Sequence, residues 1–113
     1  MNVDDLTLGQ IKEIQTMCGS KSNIDPHPYK IGQAYLIRTV TMIYTGRVVE
    51  VYKNELVIEE AAWIADTGRW HQACTEGKLN EVEPYAKGDN VIIGRGAILD
   101  VSTWHKDLPG EQK

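Results

Sequence analysis

Apolar positions along the chain change their period twice, and each change predicts a different element. Over residues 7–18, Leu8, Ile11, Ile14 and Cys18 recur at helical spacing, with Lys12, Glu13 and Gln15 between them. That pattern predicts an amphipathic helix. Thr7 and Gln10 stand at capping-box spacing, and Gly19 follows where a left-handed residue closes a helix. A helix this short is marginal alone, so its apolar stripe is expected to dock on something. Asp25-Pro26 and His27-Pro28 then place residues 20–30 in a loop, because proline and the residue before it both resist helix.

From residue 34 the pattern is dense in β-branched residues and predicts strand. One long strand is expected over residues 34–44, with Gly46 as a bend or bulge and strand resuming at 47–51. Tyr52-Lys53-Asn54 reads as a turn and residues 55–60 as the returning strand. Residues 61–66 are expected to leave the sheet, and Asp66 to cap a helix over 68–76 that Gly77 ends. In that helix Trp70 and Cys74 share a face. Glu83-Pro84 and Lys87-Gly88-Asp89 flank a connection, residues 91–94 and 97–102 form two more short strands, and the polar tail after Trp104 is expected to be loosely held. The fold class is α+β, mainly β. A single domain spans 1–113, with an N-terminal helix in 1–19, a β-rich core over 31–102 carrying an inserted helix at 67–77, and a tail at 103–113.

A chain of 113 residues suits one domain with its own core. Phe is absent, so Tyr, Ile, Val and the indoles of Trp63 and Trp70 are expected to fill that core. The net charge of −4, from 12 Lys and Arg against 16 Asp and Glu, argues against a general nucleic-acid binder. Cys18 and Cys74, far apart and outside any CxxC, read as small buried thiols. The first residues, MNVDDLTLGQ, lack the apolar stretch of a signal peptide, and no run approaches the ~18–20 apolar residues that span a bilayer. A cytoplasmic protein with no membrane partner is expected.

Few positions offer chemistry. Arg95 stands between Gly94 and Gly96, a setting in which a guanidinium can approach a planar or phosphate-bearing ligand closely. Asn54 ends the Tyr-Lys-Asn turn. In WIADTGRW, Asp66, Arg69 and Trp70 lie at a strand-to-helix passage, where free amides, a cation and an indole could meet an anionic base. His71 and Cys74 are two ligands and not a metal site, and His27 and His105 have no ligand spacing. No nucleophile motif, P-loop or dinucleotide fingerprint occurs. Glu59 and Glu60, adjacent on a strand, are expected on opposite faces and so not to cooperate. No enzyme activity, cofactor or metal is expected.

The run G-x-V-x-x-V from Gly46, then Tyr52-Lys53-Asn54 and ELVIEEA, resembles the first motif of the Sm-like small β-barrels. The run from Val91 to Leu99, with Arg95-Gly96 at its turn, resembles that family's second motif, and 62–89 is inserted between the two. The resemblance implies a bent antiparallel SH3/Sm-like sheet and single-stranded RNA binding at Asn54 and Arg95; the exposed strand edges of so small a sheet predict a homo-oligomer joined through them. RTVTMIYTGRVVEV, AAWIADTGRW, NEVEPY and GRGAILD also resemble a group of small uncharacterised phage and prophage proteins. By analogy that likeness implies a phage-encoded sponge, acting in the host bacterial cytoplasm against an immune signal. Three readings result: a binder of a small anionic, nucleotide-like ligand using Arg95, Gly96, Asn54, Arg69, Trp70 and Asp66; an Sm-like RNA-binding ring; and a protein-interaction module acting on a host factor.

Overall fold

In a computed structural model, which describes residues 26–113, six strands form one antiparallel sheet. They are β1 (Ala34–Thr39), β2 (Ile43–Val51), β3 (Glu55–Asp66), β4 (Glu81–Pro84), β5 (Val91–Gly94) and β6 (Ile98–Thr103). The helix expected at 7–18 and Cys18 lie outside the described residues. The strand order is β4-β3-β2-β1-β6, with β5 also on β3. The long β3 takes two partners along one edge, β5 near its start and β4 near its end. A helix, α1 (Trp70–Glu76), connects β3 to β4, and a 3-10 turn, Arg95–Ala97, connects β5 to β6. No ladder joins β5 to β6, so the sheet is not a closed barrel.

The strand expected over 34–44 is broken into a hairpin. The Thr39 N–H donates to the Met42 carbonyl at 2.8 Å, and the Thr39 hydroxyl both donates to that carbonyl and accepts the Met42 N–H. A side chain that favours strand by its branching here builds the turn by its oxygen. Gly46 is therefore not the bend between strands. It lies inside β2 opposite Tyr35, where a Cβ would meet Ile58 Cδ1 at 2.6 Å.

β3 does not leave the sheet at residue 61. Between the pairs Thr45↔Ala62 and Arg47↔Glu59 it carries one more residue than β2, and Glu60 takes a left-handed φ of 51°. Such a bulge redirects the strand without ending it, so Ala61, Ala62 and Ile64 remain buried. It also overturns the expectation for the adjacent carboxylates: Glu60 and Glu59 both reach Arg47 Nε, at 3.5 and 4.0 Å. Downstream, α1 starts at Trp70, later than the sequence suggests, and Asp66 does not cap it. Gly77 does close it, in a left-handed conformation. The segment expected as a plain connection contains β4, held by the burial of Val82.

Each face of the sheet carries a core. On one, Ala34, Leu36, Ala62 and Ile64 meet Ala73 of α1, Leu79, Val82 and Trp104. On the other, Tyr35, Ile37, Val48, Leu56 and Ile58 meet Ile93, with Ile98 and Val101 at the margin. The indole that fills the core is Trp104, 4% exposed, whereas Trp63 and Trp70 are 38% and 41% exposed. Both flank buried positions instead of occupying them. The tail is not loose either: Lys113 and Val82 exchange two backbone hydrogen bonds of 3.0 Å, which lays the C-terminus along the outer edge of β4.

Candidate ligand site

The 3-10 turn between β5 and β6 brings Arg95 against the β2–β3 hairpin. Its backbone N–H donates to the Asn54 carbonyl at 2.9 Å, and its Nη1 donates to the carbonyls of Tyr52 and Lys53 at 2.7 and 3.3 Å. The guanidinium carbon lies 5.5 Å from the centre of the Tyr29 ring. Arg95 is thus a half-buried clamp, not a solvated turn residue. Two backbone carbonyls and an aromatic face fix the cation in place, while the fork has further donors to offer.

Arg95 and Gly96 line an open cleft of about 540 Å³ together with Pro28, Tyr29, Lys53 and Asp100. Lys53 is exposed. Among the described residues Asp100 is the one acidic group on the wall, and Arg38 from β1 neutralises it by a two-pronged ion pair, with Nε at 2.8 Å from Oδ1. Lys53 and Arg95 therefore leave the cleft with a positive balance beside an aromatic ring. A Cβ at Gly96 would meet no heavy atom of the described residues within 4 Å, so their packing does not demand glycine there. A ligand that approaches the backbone would.

The cleft unites three of the sequence-derived residues and separates the others. Arg95 and Gly96 line it, and Asn54 joins through its carbonyl, its side chain being exposed. Asp66, Arg69 and Trp70 do not line it. Asp66 accepts the Gly68 N–H at 2.8 Å and the Asn80 side-chain amide at 3.4 Å, bracing the passage from β3 to α1. Arg69 is exposed at the N-cap of a helix of only 7 residues. Trp70 carries Arg38 over its ring at 4.9 Å. This second group serves the junction of β3 and α1. Tyr29 and Lys53 are not singled out by sequence, although Lys53 sits within the turn that ends at Asn54. Tyr29 enters only through tertiary stacking, which no local pattern encodes.

The Arg38–Asp100 pair has a testable electrostatic consequence. Hydrogen bonding and the charge of Arg38 hold the Asp100 carboxyl below its ordinary value. A lowered folded pKa means that its contribution is present at neutral pH and is lost as pH falls through the folded value. By carboxyl-detected NMR, Asp100 is expected to titrate below the usual ~3.9 and to return toward it in Arg38→Gln. An unshifted midpoint in the unmodified protein would remove the pairing.

Among the described residues no helix is long and apolar enough to cross a membrane, and no three His, Cys, Asp or Glu side chains gather as metal ligands. Comparison of the chain with family models, curated proteins and solved structures gives no match.

Proposed function

We propose that this is a small non-catalytic protein that binds an anionic, nucleotide-like ligand in the cleft of Lys53, Arg95 and Gly96. The observation that carries this reading is the fixed guanidinium of Arg95, stacked 5.5 Å from Tyr29 in that cleft. An immobilised cation binds an anion without losing its own side-chain entropy, and an exposed lysine adds a second charge. The strand path supports an SH3/Sm-like ancestry: β5 and β6, joined by a 3-10 turn, lie on opposite edges of the β1-β2-β3 meander. Among the described residues the outer edges of β5 and β6 have no strand partner, which favours a homo-oligomer. With the likeness to phage and prophage proteins, the reading becomes a phage-encoded sponge that sequesters a nucleotide-derived immune signal in the host bacterial cytoplasm.

A second reading is single-stranded RNA binding. It is favoured by the backbone hydrogen bond from Arg95 N–H to the Asn54 carbonyl, which brings together the two positions that the Sm-like resemblance marks.

Calorimetric titration with cyclic di- and trinucleotides, ADP-ribose derivatives and oligo-U RNA separates the readings. Binding of the nucleotides is expected to weaken about tenfold in Lys53→Ala, the loss of one charge-assisted contact of ~1.5 kcal/mol. Gly96→Ala is expected to weaken it while leaving stability within about 0.5 kcal/mol. Preference for oligo-U would favour the RNA reading. Equal affinity in Lys53→Ala, or no binding at all, would overturn the site.

A further inference from the structure

A second surface, built from residues that do not line the Arg95 cleft, has the opposite chemistry. Tyr44, Trp63 and Glu83 are direct cross-strand neighbours on β2, β3 and β4, so their side chains share one face of the sheet. Tyr85 continues that row: its N–H donates to the Ala61 carbonyl at 2.9 Å, and its ring centre lies 6.4 Å from that of Tyr44. Glu81, two residues before Glu83, points the same way. Trp63 and Tyr85 are 38% and 39% exposed, and both glutamates are exposed.

An exposed indole and phenol beside carboxylates form a surface for cations. The ring faces supply negative quadrupole and the carboxylates supply charge. Elsewhere in the fold this protein covers such rings with its own arginines, Arg38 on Trp70 and Arg95 on Tyr29. Among the described residues no cation stacks on Trp63 or Tyr85, and neither Glu81 nor Glu83 forms an ion pair; Glu83 accepts one bond, from Gln112 at 3.1 Å.

We propose that the Trp63–Tyr85 face docks an arginine- or lysine-bearing segment of a partner protein. Charge complementarity selects this occupant: the face is acidic and aromatic, and the chain as a whole carries −4. An Arg side chain stacked on Trp63 would place its fork toward Glu83, and its apolar stem would cover the ring. The proposal is independent of the anion cleft.

The test is calorimetry with an amidated decapeptide of alternating Arg and Ala, run against its Glu/Ala counterpart, with indole N–H signals followed by NMR. The Arg peptide is expected to bind and to shift the Trp63 indole signal while leaving that of buried Trp104 in place. Trp63→Leu is expected to weaken binding about tenfold, and Glu83→Gln roughly three- to tenfold, with further weakening at high salt. Both variants change exposed side chains, so both are expected to fold, and circular dichroism checks that they do. Equal binding of the Glu peptide, unchanged affinity in both variants, or no binding would overturn the proposal. Concentration-dependent self-association abolished by Trp63→Leu would also overturn it, by giving the face to a second copy of the chain.

Discussion

Replacing Trp104 by alanine is expected to destabilise the protein by about 3–5 kcal/mol, the range for truncating a buried indole. Trp104 is 4% exposed and belongs to one buried cluster with Ala34, Leu36, Ala62, Ile64, Ala73, Leu79 and Val82. The indole therefore joins β1, β3, α1 and β4. It also anchors the C-terminal segment: its backbone N–H donates to the Ala34 carbonyl at 2.9 Å and its indole N–H to the Asp107 carbonyl at 3.1 Å. Small neighbours such as Ala34, Ala62 and Ala73 cannot collapse into the space, so most of the cavity would persist. Urea denaturation of Trp104→Ala and Trp63→Ala gives the contrast. Trp63, 38% exposed, is expected to cost clearly less, about 1–2 kcal/mol. Equal losses at the two positions would contradict the assignment of the core.

Valine at position 46 is expected to cost about 1–3 kcal/mol through overpacking. A Cβ there would lie 2.6 Å from Ile58 Cδ1 and 3.1 Å from Ile58 Cβ, and Ile58 is fully buried. The methyl end of Ile58 can rotate, but its Cβ is fixed to β3, so the strands must part. The cause is close approach between β2 and β3, since Gly46 does not take a positive φ. That cause makes a specific prediction: in an Ile58→Ala background the added cost of Gly46→Val is expected to shrink, because Cδ1 and Cγ1, at 2.6 and 3.2 Å, are gone and only the Cβ contact at 3.1 Å remains. Additive losses in the double variant would return the explanation to backbone strain.

Much of the fold was legible because it obeys local rules. Gly77 closes α1, the Tyr52-Lys53-Asn54 turn joins β2 to β3, and residues 91–94 form β5 as the pattern suggests. The errors share one source, in that a local signal was overruled by a contact distant in sequence or by a single side-chain bond. Thr39 looks like strand and makes a turn through its hydroxyl. Glu60 looks like the last strand residue, yet its left-handed bulge carries β3 on to Asp66. Glu-Val-Glu-Pro looks like a connection and becomes β4 because Val82 finds a buried place and both edges of the strand are paired. The site was legible in the same measure. The meeting of Arg95 with Asn54 comes from recognising a hairpin and a glycine-flanked turn, but Tyr29 and Lys53 become its neighbours only through the three-dimensional path of the chain. Arg69 and Trp70 carry chemistry that suits an anionic base, yet with Asp66 they stand at a different junction.

The cleft at the 3-10 turn as an anion site is tested most directly by heteronuclear NMR of the full chain titrated with a cyclic dinucleotide. The backbone signals of Tyr29, Lys53, Arg95 and Gly96 are expected to shift together and saturably, with those of Asp66, Arg69 and Trp70 unmoved. Shifts confined to the Asp66–Trp70 junction, or no saturable shift at the four cleft residues, would contradict it.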